Sequence, residues 1–510
     1  MLLTDLARDL GDKRAVVLGD SGRSLTFRQL EAESNRIARV LRARGLRRGD
    51  HLALLFDNCL ELFPVVWAAQ RTGLRYTPVN WHLSAAEAVH IVADCGARLL
   101  ISAPGLESVA SAVEQACPGI DRIVTGTVSG VPDLATLTAD VDNAPIGDEA
   151  EGYYMFYSSG TTGRPKGVLP ELSGAPFGTG LPIDHRMASV FGFDRTSVYL
   201  SAGPLYHAAP LAWTLGTIRN GGTAVIMERF DAEAALGLIE RHRVTHAQFV
   251  PTMFVRMLKL SAEIRDEYDM SSLCSVVHSA APCPVAVKQQ MIDWLGPCLV
   301  EFYGGTEGSG FCTIDSVTWL ARPGSVGQPL RGAVHICDTA GRELGPGEVG
   351  VVWFSGAGRF SYHGDSAKTA AAHNDRGWNT LGDLGHIDSD GFLYLSGRRS
   401  DLILSGGVNI YPQEIEDVLI LHPAVADVGV IGLPDEEYGQ RVHAVVALAD
   451  PTSSEGALMA ELMEYCRDRL AHFKCPRSID VGAVPRLPSG KLLRRALLDG
   501  YTIDNSGALG

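Results

Sequence analysis

Apolar positions along the first hundred residues alternate between two periods. Thr26 and Gln29 form a capping-box pattern, and Phe27, Leu30, Ile37 and Leu41 then fall on one helical face until Gly45 stops the helix. The run His51 to Phe56 reads as a strand. It is followed by a helix over Leu60 to Thr72, a strand over Tyr76 to Val79, a helix opened by Ser84 and Glu87, and a strand over Arg98 to Ile101. Strands alternating with helices predict a parallel sheet covered by helices. The rhythm returns with a strand over Thr223 to Met227, a helix over Asp231 to Arg241, a strand over Thr245 to Val250 and a helix over Met253 to Leu260, so a second α/β layer is predicted. From Arg331 the texture changes to short alternating runs separated by glycine, such as Val349 to Phe354 and Gly391 to Leu395, which predict a small antiparallel, barrel-like part. Beyond Arg398 a helix over Pro412 to Leu421, strands over Val425 to Ile431 and His443 to Leu448, and a helix over Glu455 to Leu470 predict a compact α+β unit. The tail Tyr501 to Gly510 reads as polar and mobile.

The expected fold class is therefore α/β: a large N-terminal region of two α/β layers with a small β-barrel-like part, then a small α+β C-terminal domain. A length of 510 residues supports more than one domain, since a single core rarely serves so long a chain. The net charge of -15 argues against a nucleic-acid backbone or an anionic membrane as the main partner, so any nucleotide must be held by local cations and amides. Ten cysteines lie scattered without a C-x-x-C pair, which points to buried thiols in a reducing compartment rather than to zinc or a disulfide framework. Met1 to Asp5 lacks the charged and apolar regions of a signal peptide, and no apolar run approaches the ~20 residues that span a bilayer, so a cytoplasmic protein without membrane insertion is expected.

The densest chemistry lies in Tyr157-Ser158-Ser159-Gly160-Thr161-Thr162-Gly163-Arg164-Pro165-Lys166-Gly167. Glycines let successive backbone N-H groups converge on one anion, the hydroxyls add donors, and Lys166 supplies a cation. This is not a Walker loop, because Gly167 follows the lysine where Ser or Thr would be required. A flexible Gly/Ser linker is the bland alternative, disfavoured by the apolar run from Tyr153 to Phe156 just before it.

Further blocks follow in order: Pro204-Leu205-Tyr206-His207, Tyr303-Gly304-Gly305-Thr306-Glu307, Gly382-Asp383, Gly397-Arg398 with Ser405-Gly406-Gly407, and Pro488-Ser489-Gly490-Lys491. Together with the phosphate loop they resemble the adenylate-forming enzymes, the superfamily of acyl-CoA synthetases, nonribosomal-peptide adenylation domains and firefly luciferase. The stretches Tyr206 to Leu211 and Val408 to Glu416 resemble bacterial fatty-acyl-CoA synthetases most.

The resemblance implies ATP and Mg2+ as requirements, CoA as co-substrate and a small-molecule acid as substrate. It assigns Ser158, Ser159, Gly160, Thr161, Thr162, Gly163 and Lys166 to the ATP phosphates, with Lys166 either contacting them or capping the loop. Tyr303 would stack on adenine, with Gly304 beside it and Ala280 and Ala281 as the other wall, although His278-Ser279-Ala280-Ala281-Pro282 departs from the commoner double-glycine form. Thr306 would meet the α-phosphate, Glu307 the metal, and Asp383 and Arg398 the ribose. Leu381 stands where threonine is commoner, with Thr380 before it. Lys491 is the implied catalytic cation bridging carboxylate and α-phosphate, and His207 lines the acyl tunnel or acts in catalysis. The family's domain rotation implies a boundary after residue 397, with 1-397 for adenylation and 398-510 mobile about a hinge at Ser400. Ser405, Gly406 and Gly407 would then border the CoA channel.

The physics agrees with this scheme. A carboxylate resists substitution because attack would expel an oxide, and a mixed anhydride with AMP supplies a leaving group. The expected function is an ATP-dependent acid:CoA ligase. Its rivals are an adenylate-forming enzyme with a carrier-protein, amine or nitrite reaction partner, and a nonenzymatic nucleotide-binding scaffold. The acid and the oligomeric state are not legible in the sequence.

Overall fold

A computed structural model describes residues 2–158, 165–169, 171–450, 455–487 and 490–504. It divides into two units, one of Met1–Phe249, Leu260–Val277 and Phe360–Thr369, the other of Val250–Lys259, His278–Arg359 and Ala370–Gly510.

In the first unit the predicted alternation becomes a five-stranded parallel sheet in the order Asp121–Val124, Ala97–Ser102, His51–Leu55, Arg75–Val79, Tyr153–Tyr154. Both predicted capping boxes form. Thr26 accepts from the Gln29 amide and Gln29 reaches back to the Thr26 N-H, starting the helix Phe27–Ala43, while Ser84 and Glu87 do the same for Ala85–Asp94. Each box satisfies two helix-start donors that would otherwise need water. A second set of strands runs parallel in the order Arg14–Leu18, Thr223–Ile226, Val198–Ser201, His246–Phe249, with Ser24–Thr26 added antiparallel at its edge. Asp231 caps the helix Ala232–His242 through the Ala234 amide. A small antiparallel sheet joins Phe156–Ser158, Lys166–Leu169 and Ser361–Tyr362.

The second unit contains the antiparallel part anticipated after Arg331. Its strands Ala333–Cys337, Gly350–Ser355, Asp383–Ile387, Leu393–Arg398, Ser325–Pro329, Cys312–Asp315 and Leu299–Tyr303 are neighbours in that order. Its last portion is the α+β module: strands Val425–Asp435 and Gly439–Leu448 pair antiparallel, and Ser478–Val481 adds parallel to the latter. The helices Pro412–Leu419 and Glu455–Arg467 pack here over a core that includes Ile415, Leu419, Val428, Val446 and Leu462. A final helix, Arg494–Asp504, replaces the expected mobile tail over residues 501–504 and buries Leu497 against Ile431, Leu433 and Val445. No helix among the described residues is long and apolar enough to cross a membrane, and all ten cysteines are free.

Candidate active site

The strand Leu299–Tyr303 carries Tyr303 to the edge of a glycine turn. Gly305 keeps the turn open, because a Cβ on it would lie 2.5 Å from Glu307 Oε2 and 2.6 Å from Leu381 Cδ2, so that both side chains would have to shift. The Tyr303 phenol donates to Asp383 Oδ2 at 2.6 Å, and the Arg398 guanidinium lies 3.2 Å from Asp383 Oδ1. Asp383 and Arg398 face one another across paired strands, so the ladder itself sets this geometry. Burial first and the Asp383 carboxylate second push the Tyr303 phenol well above its usual range, which keeps it a neutral donor. A carboxylate offers about four lone-pair sites, so Asp383 retains capacity for two hydroxyls of a ribose after these contacts. Thr380, the hydroxyl one place before the usual position, accepts from the Gly382 amide at 3.0 Å and donates to the Val352 carbonyl at 2.6 Å, so its hydroxyl is committed to the backbone.

Lys491 is brought into this group. Its segment is a tight turn in which the Leu487 amide donates to the Lys491 carbonyl and the Gly490 amide to the Leu487 carbonyl, both at 2.8 Å. Gly490 has φ +81°, and a Cβ there would meet Thr252 Oγ1 at 2.7 Å. Pro488 and Ser489 of the motif lie outside the described residues. The ammonium is lowered to about 8, by burial first and by the Arg398 charge second, against the opposing pull of Asp383, Asp401 and Glu307. Those three carboxylates are within electrostatic reach, yet among the described residues none forms an ion pair with Lys491. A half-buried cation with no ion pair among the described residues is poised to take an anionic ligand. Thr306 is exposed and Glu307 half-buried on the turn after Gly305. No cluster of three or more His, Cys, Asp or Glu among the described residues could hold a metal unaided.

Ala280 is exposed at φ +75°, a left-handed conformation strained for a residue with a Cβ, and Ala281 follows half-buried. That strain is the physical trace of the departure from the double-glycine form. Of the phosphate loop, Ser159, Gly160, Thr161, Thr162 and Gly163 lie outside the described residues, and Ser158 is described only as the end of its strand. Lys166 is engaged by Asp365 at 3.1 Å, which fits the capping alternative. Gly167 is closely packed: a Cβ would lie 2.3 Å from Met155 Cε, and that side chain would have to shift.

His207 is the N-cap of the helix Ala208–Arg219, its ring 4.6 Å from that of Tyr206. Ser400 sits in a single turn, Arg399–Asp401, and donates to Asp401 Oδ1 at 2.9 Å. Gly406 and Gly407, both at positive φ, close the hairpin between Ile403–Ser405 and Val408–Ile410, a sufficient local reason for two glycines.

The sequence reading missed the side chains that aim these groups. Arg486 grips the Asp427 carboxylate at 2.7 to 2.9 Å, the Val428 carbonyl at 3.0 Å and the Gly490 carbonyl at 2.9 Å, fixing the residue immediately before Lys491. Arg494 joins Asp401 at 3.1 Å to Glu416 and to the Val430 carbonyl. Beneath the expected adenine walls, Lys288 pairs with Glu301 at 2.7 Å, and Glu301 Oε2 lies 3.7 Å from His278, all three buried. Their only sequence signal is proximity to the motifs, which does not distinguish them from surface charge.

The model of the AMP-binding enzyme matches residues 3–362, and that of the AMP-binding enzyme C-terminal domain matches residues 414–491. The chain is 34% identical to 2-succinylbenzoate--CoA ligase of Bacillus licheniformis, over 95% of this chain and 96% of the relative. It is 33% identical to the fatty acid--[acyl-carrier-protein] ligase ScoC of Streptomyces coeruleorubidus, over 95% and 93%. Among solved structures, o-succinylbenzoate CoA synthetase from Bacillus subtilis, in complex with its acyl-adenylate intermediate, superposes with a TM-score of 0.81 at 30% identity, over 97% of each chain. Relatives matched over nearly their whole length, together with both domain models, place this chain in the AMP-binding enzyme family of adenylate-forming ligases.

Proposed function

We propose that this protein is an ATP-dependent acid:CoA ligase. In the first half-reaction a carboxylate oxygen attacks the α-phosphorus of ATP, the bond to the β-phosphate breaks, and pyrophosphate leaves. In the second the thiol of CoA loses its proton, attacks the acyl carbon and expels AMP. Lys491 bridges the attacking carboxylate and the α-phosphate, offsetting the repulsion between two anions and the charge that builds in the transition state. Tyr303, Gly304, Ala280 and Ala281 hold the adenine, Asp383 and Arg398 the ribose, Thr306 the α-phosphate, and the Ser158 to Gly163 loop with Lys166 the departing phosphates. Glu307 is the one ligand we assign to Mg2+, which would neutralise phosphate charge; the lack of a self-sufficient metal cluster among the described residues fits an ion completed by phosphate oxygens. We further propose 1-397 and 398-510 as functional domains hinged at Ser400, with Ser405, Gly406 and Gly407 along the CoA path, and a cytoplasmic location, which suits ten free thiols.

The observation that carries the reading is the Lys491 ammonium, half-buried and without an ion pair among the described residues, in the electrostatic reach of Asp383, Arg398 and Glu307, with Tyr303 bonded to Asp383. The test is pyrophosphate release over a panel of acids, with product masses taken with and without CoA. Acid-dependent pyrophosphate and a product heavier by the acyl group on CoA are expected. No pyrophosphate from any acid would overturn the reading. A carrier-protein acceptor, favoured by the likeness to ScoC, would give pyrophosphate and adenylate but no CoA thioester.

A further inference from the structure

The second unit holds one more cation that the mechanism above does not use. Lys259 stands at the C-terminal end of the helix Pro251–Leu258, and its ammonium donates to the carbonyl of Val425, the first residue of the strand Val425–Asp435. As a residue Lys259 is exposed, yet burial is the largest influence on its ammonium and lowers it, while the Asp427 charge pulls the other way. An ammonium drawn onto a carbonyl gives up hydration that a lysine pointing into solvent would keep. The contact is therefore more than the ordinary state of a surface charge.

The helix that carries Lys259 is firmly seated. Its residues Pro251, Met253, Phe254, Val255 and Met257 are buried, and the Phe254 ring meets that of His278 edge-on at 5.3 Å. At the other end of the same helix the turn before Lys491 comes close. A Cβ on Gly490 would lie 2.7 Å from Thr252 Oγ1 and 3.0 Å from Val250 Cγ2. Eight residues of helix span about 12 Å, so the C-terminal module meets this helix at two points well apart. One contact would leave a pivot, whereas two fix a direction.

A short run of contacts leads from Val425 to Lys491. The strand shifts its register between Val425 and Asp427, the Asp427 carboxylate is gripped by Arg486, and Arg486 holds the Gly490 carbonyl at 2.9 Å. Lys259 thus holds the first residue of this stretch, Arg486 holds the third, and Arg486 passes the constraint to the residue before Lys491.

The geometry points to a positioning role for Lys259 in the first half-reaction: by holding the Val425 carbonyl against the end of the helix Pro251–Leu258, it sets the turn that aims Lys491 toward Asp383, Arg398 and Glu307. It acts through Lys491 rather than on the acid or the nucleotide. A single ammonium-carbonyl bond at a partly exposed site is modest in strength, so it aims the module without locking it. The second half-reaction, in which Lys491 has no part, does not depend on it.

This inference rests on the ligase reading above, and the test separates the two. Acyl-adenylate formation, read as pyrophosphate release, and thioester formation from supplied acyl-adenylate and CoA are measured for full-length Lys259→Met and Lys259→Arg. Lys259→Met is expected to slow the first about tenfold and to leave the second within about twofold. Lys259→Arg, which keeps a cationic donor, is expected to recover most of the lost rate. In a Lys491→Ala background, adding Lys259→Met is expected to change the residual adenylation by less than about twofold, because a positioning residue has nothing left to aim. Unchanged adenylation in Lys259→Met, equal loss in both half-reactions, no recovery in Lys259→Arg, or a further tenfold loss in the Lys491→Ala background would each overturn the assignment. Absence of pyrophosphate from every acid with the wild-type enzyme would instead overturn the ligase reading beneath it.

Discussion

Arg219 in the first unit and Lys491 in the second are cations withdrawn from water under opposite conditions. Arg219 is 2% exposed and surrounded by acceptors: the carboxylates of Glu151 and Asp184, the Gln70 side-chain oxygen at 2.9 Å, and the ring of Trp67 at 4.8 Å. Arg71 repeats the arrangement with Glu31 and Glu149. Lys491 has a second cation, Arg398, as the largest electrostatic influence on it, and three carboxylates in reach of which, among the described residues, none forms an ion pair with it. A charge that is fully paired holds a fold together and has no spare capacity for chemistry. A charge left short of partners weakens the fold locally and is available to a ligand, which is how stability and activity come to trade against one another.

The comparison can be broken at several points. Lys491→Ala is expected to cut overall turnover by about a thousandfold, the scale of losing one transition-state charge partner, while leaving the thermal midpoint unchanged or raised. Arg219→Met should do the reverse. It strands two buried carboxylates and costs about 3 to 5 kcal/mol in denaturant unfolding, with little change in kcat per folded molecule. If Lys491→Ala unfolded the chain, or Arg219→Met left its stability intact, the division between the two cations would fail.

Arg486→Gln sharpens the contrast, because it releases the Gly490 carbonyl without touching substrate. A looser Lys491 should lower adenylate formation by about ten- to a hundredfold and leave KM for CoA alone. A loss seen equally in thioester formation from supplied acyl-adenylate would remove Arg486 from this positioning role.

The pH dependence follows from the depressed ammonium. Lys491 is charged below about 8, so kcat/KM for adenylation is expected to fall as pH rises through about 8, well before the usual lysine value of 10.5. Lys491→Arg, weaker in absolute rate, should lack that limb because guanidinium does not titrate there. Between about 8 and 10.5 the folded chain binds fewer protons at this site than the unfolded chain, so the site's contribution makes stability rise with pH across that window. An alkaline limb unchanged in Lys491→Arg would assign it to another group. The smallest expected effect belongs to Ala280→Gly, where relief of the left-handed strain is largely offset by glycine's chain entropy. A gain of about 0.5 kcal/mol or less is expected in the unfolding midpoint.

Much of this molecule was legible before its structure. The capping boxes at Thr26 and Ser84 and the strand runs at His51 and Thr223 are local signals, and local signals survive folding. The motif residues Tyr303, Asp383, Arg398 and Lys491 were likewise visible, and the structure brings them together. What escaped was whatever depends on a partner distant in sequence. Arg486 reads as one basic residue among several until Asp427 is placed opposite it, and Lys288 reads as helix surface until Glu301 and Trp319 enclose it. The final helix Arg494–Asp504 escaped for the same reason, since Leu497 finds its apolar neighbours only on strands more than sixty residues earlier in the case of Ile431 and Leu433. The glycines at 406 and 407 mark the opposite case: a motif assigned to ligand approach that a hairpin turn explains by itself.

The measurement that bears most directly on the account is a half-reaction split in Lys491→Ala. Acyl-adenylate formation from ATP and an accepted acid is followed in one vessel, and conversion of supplied acyl-adenylate and CoA to thioester in another. The account predicts that the first is lost while ATP still binds, and that the second is retained within a few-fold. Equal loss in both would contradict a cation dedicated to activating the acid.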